Sequence, residues 1–140
     1  MKTEIQIIYP GEYNARFFIE TETAASDHEL LERIFAEWNY GSQHESKEFI
    51  NARVRTPYGE RTRVRSLSVN DIVWIGGRPE GSLLGRYYQC ASIGWTEVDV
   101  NFVNQLEAEV KNHPKMEEGG AFFALSDIMW QRRKAEMAKA

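Results

Sequence analysis

A dense cluster of arginines near the middle of the chain is the feature best suited to recognising another molecule. Five arginines fall within residues 53–65, and Glu60 is the single acidic residue in that window. Arginine forms planar, bidentate hydrogen bonds with carboxylates and phosphates, so the cluster is a candidate anion-binding surface. Tyr58 lies between the two arginine rows and is suited to stacking on a base or filling a pocket of a protein partner. The candidate binding residues are Arg53, Arg55, Tyr58, Arg61, Arg63 and Arg65.

The segments that must position these arginines have the pattern of a β-hairpin. Phe49–Thr56 and Arg61–Leu67 favour extended structure, and the residues between them, Pro-Tyr-Gly-Glu, favour a turn. Side chains on a strand share a face at every second residue, so each segment carries its own row of arginines. Whether the two rows lie on one face depends on the pairing register, which the pattern does not determine.

Charge along the chain leaves three interpretations of the arginines open. Residues 1–49 carry a net charge of −6, residues 50–95 carry +4 and residues 96–140 carry −2, for a total of −4. The arginines could pair with acidic residues of the first helix, such as Glu29, Glu32 and Glu37. They could instead contact a protein partner or a nucleic acid. Proteins that bind nucleic acid over much of their surface are usually basic, so the mildly acidic total restricts any such role to a local patch.

The residue types and their spacings do not indicate a metal site, a phosphate-binding loop or a catalytic site. His28, His44 and His113 lack the second and third ligands that a metal site needs, and Cys90 is the only cysteine. The glycine-rich stretch Gly76–Gly85 lacks the Lys-Ser/Thr pair of a phosphate-binding loop. We therefore expect no catalytic residue, metal or cofactor, and a non-enzymatic protein.

Size and composition indicate one globular domain. The chain has 140 residues, of which 42% are hydrophobic and 27% charged. No apolar run approaches the ~18 residues of a membrane span, and the N-terminal residues lack the apolar stretch of a signal peptide. These observations predict a cytoplasmic protein that does not contact a membrane.

The order of elements predicts an α+β fold: a curved antiparallel sheet with one helix packed on it and two C-terminal helices. Ser26 and Glu29 have the spacing of a capping box, Asp99 is suited to cap the next helix, and Ser126 the last. We expect residues 1–112 to form a single α+β domain. Residues 113–140 are expected to form a linker and a C-terminal helix that docks on that domain or extends from it. The predicted core is Ile5, Ile7, Phe18, Leu31, Ile34, Phe35, Trp38, Val69, Ile72, Trp74, Tyr88, Trp95, Val98, Phe102 and Leu106.

Several motifs resemble one known family. They are L-L-E-R-I-F-A-E-W-N (30–39), R-S-L-S-V-N-D-I-V (65–73), Y-Y (87–88) and G-W-T-E-V (94–98). Their order resembles the YodL-like family, a small bacterial family that also occurs within long proteins of plasmids and integrative elements. The resemblance covers roughly residues 4–100. The chain departs from it in an arginine-rich insertion, Ser46–Val64, and in residues 101–140, and the resemblance implies no catalytic residue.

The expected function combines the arginine cluster with the setting that the resemblance implies. We expect a non-enzymatic, protein-binding accessory module of a phage or mobile element, with inhibition of a host defence protein as its most specific form. The alternative is a nucleic-acid-binding accessory protein that uses the arginine-rich hairpin of residues 50–66. The identity of the partner and the oligomeric state do not follow from these patterns.

Overall fold

A computed structural model describes residues 2–21, 25–55, 59–76 and 85–139, apart from the side chain of Glu118. It confirms the α+β class. Five strands form an antiparallel sheet: β1 (Lys2–Tyr9), β2 (Tyr13–Glu20), β5 (Ile72–Ile75), β6 (Arg86–Cys90) and β7 (Trp95–Val98). Their spatial order is β2-β1-β5-β6-β7. A separate two-stranded sheet pairs β3 (Arg53–Arg55) with β4 (Arg61–Arg63).

The helices are α1 (Asp27–Glu37), α2 (Lys47–Asn51), α3 (Val100–Lys111), α4 (Lys115–Gly119) and α5 (Ala121–Lys139). Two predicted caps are confirmed. The Ser26 hydroxyl accepts a hydrogen bond from the Glu29 amide at 3.1 Å, and the Asp99 carboxylate accepts one from the Phe102 amide at 2.8 Å. Each side chain satisfies an amide that has no partner inside its helix. No helix in the described part of the chain has the length and hydropathy to cross a bilayer.

Three predicted assignments along the chain differ from the structure. The segment predicted to be extended from Phe49 begins instead with α2, because the Ser46 hydroxyl caps the Phe49 amide at 3.1 Å and starts a helical turn. The last helix begins at Ala121, so Ser126 lies inside it and donates to the Phe122 carbonyl at 3.0 Å. Residues 115–119, predicted to be linker, form the short helix α4.

Helices cover both faces of the sheet, because residues on each strand point alternately to opposite sides. On one face Ile5 and Ile7 pack in a cluster with Leu31 and Trp38 of the α1 region. On the other face Ile8 packs in a second cluster with residues of α3 and α5. The members of this second cluster include Ile72, Val103, Leu106, Val110, Ala121, Ala124, Leu125 and Ile128.

Three residues predicted for the core are exposed instead. Phe18, Phe35 and Val69 have exposed fractions of 51%, 42% and 38%. Side chains of the edge strand β2 alternate between the two faces of the sheet, and Phe17 is the one that points toward α1, so Phe18 points away. The Phe17 ring stacks on Trp38 with centroids 4.5 Å apart. Two adjacent phenylalanines cannot both face one side of a strand, and the sequence does not say which one does.

One glycine is required where α3 approaches the β1–β2 turn. Gly11 has a φ of +76°, which side chains rarely adopt. A Cβ atom there would also lie 2.3 Å from Cγ1 of Val110. The turn therefore lets α3 pack closely against the end of the sheet.

Candidate anion-binding surface

The register of the β3–β4 hairpin places four arginines on one face. Arg53 lies opposite Arg63, and Arg55 lies opposite Arg61. Directly opposed residues have Cβ atoms about 5 Å apart and point the same way. All four side chains are exposed, and we call this set of four the arginine face.

The rest of the hairpin is anchored to the body of the protein. Val54 is half-buried and packs against the α1-side cluster, which contains the fully buried Val64. The Tyr40 hydroxyl donates to the Val64 carbonyl at 2.7 Å, and the Arg63 guanidinium lies 4.7 Å from the Tyr40 ring centroid. The arginine face therefore belongs to a strand pair whose opposite side is packed against the protein.

None of the four arginines forms an ion pair with a carboxylate among the described residues. Arg53 donates to the carbonyls of Ile50 and Ala52, both at 2.9 Å. Two of the acidic residues considered as internal partners have contacts elsewhere: Glu37 pairs with Arg33 at 2.9 Å and Glu32 approaches His28 at 3.9 Å. Within the described chain, the arginine face thus retains unneutralised charge.

Arg65 lies apart from the arginine face, in a partly buried network. Its guanidinium makes two hydrogen bonds to the Asp71 carboxylate, at 2.7 and 2.8 Å. It also contacts Glu12 at 3.4 Å and lies between the rings of Tyr9 and Phe122, 4.5 and 5.2 Å from their centroids. Tyr58, the remaining candidate residue, lies outside the described residues.

The Arg65 network is satisfied internally. Asp71 is fully buried and also accepts the Ser68 amide at 2.8 Å. Burial raises the pKa of Asp71 to about 6, against the lowering effect of the hydrogen bonds from Arg65. The remaining Arg65 donors reach Glu12 and the Ser66 carbonyl. The pair therefore joins the end of the hairpin to β5 through a carboxyl group that is shielded from solvent.

A cleft of about 360 Å³ adjoins this network. Its walls are mainly apolar and include Tyr13, Met116, Ala121 and Phe122. The two charged side chains at its edge, Glu12 and Arg65, already bind one another. The Tyr13 hydroxyl at its wall accepts a hydrogen bond from the Arg65 amide at 3.3 Å.

A second network ties α1 to the sheet. Arg86 forms an ion pair with Asp27, and the Tyr88 hydroxyl donates to the same carboxylate at 2.5 Å. Burial and the nearby Asp27 raise the pKa of Tyr88 to about 12. No group of three metal-ligating side chains occurs in the part of the chain that the structure describes.

Comparison with known proteins identifies no relative of this chain. No protein-family model, no curated protein and no solved structure matches the chain. The resemblance to the YodL-like family therefore stays a prediction, and the arginine face must be interpreted from its own chemistry.

Proposed function

We propose that this protein is a binding module whose arginine face docks on an acidic surface of a partner protein. The observation that carries the proposal is the opposition of Arg53 with Arg63 and of Arg55 with Arg61, without an ion-paired carboxylate among the described residues. Like charges placed directly opposite one another destabilise a hairpin. Binding of an anionic partner relieves that repulsion, so the arrangement suits recognition better than stability.

The spacing of the rows favours carboxylates presented at regular intervals. Alternate residues on a strand are about 6.6 Å apart, so an extended segment with an acidic residue at every second position matches one row. Arginine binds each carboxylate through two parallel hydrogen bonds. The net charge of −4 also disfavours long-range attraction of a polyphosphate, whereas a protein partner need only be acidic locally.

A nucleic acid is the second candidate, and the contact between Arg63 and Tyr40 favours it. The Tyr40 side chain is 44% exposed, so an aromatic ring and a guanidinium plane lie together at the surface. Bases stack on such platforms with little sequence preference. Binding of this kind would weaken steeply as the salt concentration rises.

Fluorescence anisotropy with two labelled probes separates the candidates. One probe is a synthetic peptide with alternating Glu and Thr, and the other is single-stranded DNA, each titrated at 50 and 200 mM salt. We expect the peptide to bind, and the variant with Arg53, Arg55, Arg61 and Arg63 replaced by Ala to bind about tenfold more weakly, equivalent to ~1.4 kcal/mol. Equal affinity of the variant for the peptide would overturn the proposal. Tighter, strongly salt-dependent binding of DNA would select the second candidate.

A matched control removes the same charge from elsewhere. The control variant replaces four exposed lysines with Ala: Lys2, Lys111, Lys134 and Lys139. We expect it to bind the peptide within about twofold of the unmodified protein, because exposed charges far from a site contribute little. Equal losses in both variants would mean that total charge, and not the arginine face, governs binding.

A further inference from the structure

Helix α5 has two apolar faces on opposite sides. The inner face is buried against α3 and the sheet. On the outer side Phe123, Trp130 and Met137 are 59%, 56% and 75% exposed. They follow one another at intervals of seven residues, which is two helical turns, so they align along one face. At ~100° per residue this face lies opposite the buried one, formed by Ala121, Ala124, Leu125 and Ile128.

This outer stripe differs from scattered surface hydrophobics. Single exposed apolar residues are common on soluble proteins, whereas three large ones in line span about 21 Å of helix. The helix also continues from Arg133 to Lys139 with every side chain exposed. Helical turns without packing partners are marginal in water, so the end of α5 is expected to gain support from another molecule.

The charges along α5 complement those of a second, antiparallel copy. If two α5 helices cross at Trp130, Phe123 of one faces Met137 of the other. At ~100° per residue Asp127 and Lys134 lie on the same flank of the stripe, so Asp127 then faces Lys134 of the second copy. A parallel pair would instead place Arg133 of each copy against Lys134 of the other, two cations. A two-fold axis requires one surface to complement itself, and the antiparallel arrangement meets that condition in both shape and charge.

The Asp127 side chain is partly exposed and can contact a second copy. It is 24% exposed and already lies 3.0 Å from His113 and 3.4 Å from Lys115 of its own chain. These neighbours lower the pKa of Asp127, although burial acts against them. The carboxylate is therefore ionised at neutral pH when Lys134 of a second copy approaches.

We propose that the chain forms a two-fold dimer through antiparallel packing of α5 on α5 of a second copy, centred on Trp130. The dimer leaves the arginine faces uncovered, because the hairpin packs with the α1-side cluster and α5 lies on the other side of the sheet. Two arginine faces on one particle would bind a repetitive acidic surface with avidity.

Sedimentation equilibrium of the full chain tests the dimer. We expect a mass near twice 16.2 kDa at high micromolar concentration, and a return to 16.2 kDa on Trp130→Glu. Ile93→Glu is the matched control, because Ile93 is 93% exposed in the β6–β7 turn and lies outside the stripe. A monomeric unmodified protein would overturn the proposal, as would a Trp130→Glu variant that remains dimeric. Far-UV circular dichroism verifies that each variant is folded.

Cysteine cross-linking tests the orientation. Cys90 is 4% exposed and burial raises the pKa of its thiol to about 11, so it should not react. Phe123→Cys and Met137→Cys proteins are mixed and treated with a bis-maleimide shorter than ~21 Å, the length of helix between the two positions. Antiparallel packing gives mainly the mixed dimer. An excess of either like-with-like product would show parallel packing and contradict the proposal.

Discussion

At the scale of the residue, arginines close together in sequence have different roles. Arg63 and Arg65 are two positions apart, a spacing that places both on one face only while the chain continues as a strand. The strand β4 ends at Arg63, and the fully buried Val64 follows. The chain then directs Arg65 inward to Asp71. Spacing alone therefore did not separate Arg65 from the four surface arginines.

Replacing Arg65 with Ala should lower the free energy of unfolding by about 3 kcal/mol at pH 7, because it leaves the fully buried Asp71 carboxylate without its cation. Urea denaturation measures the loss. Arg55→Ala is the control and should change stability by less than about 0.5 kcal/mol. Similar losses in the two variants would show that the Arg65 pair contributes nothing specific.

The loss of unfolding free energy caused by Arg65→Ala should become smaller as the pH falls from 8 to 5. The pKa of Asp71 in the folded protein is raised to about 6, above its ordinary value near 4, and loss of the Arg65 hydrogen bonds raises it further. As the pH falls, Asp71 takes up its proton earlier in the folded variant than in the folded unmodified protein. Because the unfolded chain protonates only near pH 4, this proton uptake stabilises the folded variant more over that range. Urea titrations of both proteins at several pH values check this. A deficit that grows toward pH 5 would contradict it.

At the scale of the element, two of the five helix starts in the described chain were predictable from their capping residues. Capping involves a side chain and an amide three residues apart, so the interaction is local and visible in the sequence. Ser26 and Asp99 behave as their spacing predicts. Ser126 does not, because an earlier start at Ala121 places it within α5.

Ser26→Ala should destabilise the protein by about 1 kcal/mol, since the Glu29 amide loses its hydrogen-bond acceptor. Ser126→Ala is a matched control, because its hydroxyl bonds a carbonyl inside a helix, and we expect a change below about 0.5 kcal/mol. Thermal unfolding of both variants gives the comparison. Equal melting temperatures of the two variants would show that the Ser26 cap does not stabilise α1.

At the scale of the whole molecule, α5 is packed into the same cluster as the sheet and α3. Leu125 is 1% exposed and lies in a cluster with Ile8 and Ile72 of the sheet. The two apolar sides of α5 also explain why its sequence shows no single hydrophobic face. The inner side belongs to this cluster, and the outer side is the proposed dimer surface.

Leu125→Ala should lower the free energy of unfolding by about 2–5 kcal/mol through the cavity it creates. Far-UV and near-UV circular dichroism should report one shared transition in urea, as expected when α5 unfolds together with the sheet. Loss of helical signal before the near-UV signal would show that α5 unfolds independently.

The sequence by itself determined the α+β class, two of the helix caps and the presence of an arginine-rich hairpin. These features depend on alternation, capping and turn residues, which act between near neighbours. Only the tertiary structure decided that Arg53 faces Arg63, that Phe17 and not Phe18 turns inward, and that Arg65 pairs with the buried Asp71. Each of these depends on register or on contacts between segments distant in sequence, and a shift of one residue in a strand reverses the outcome.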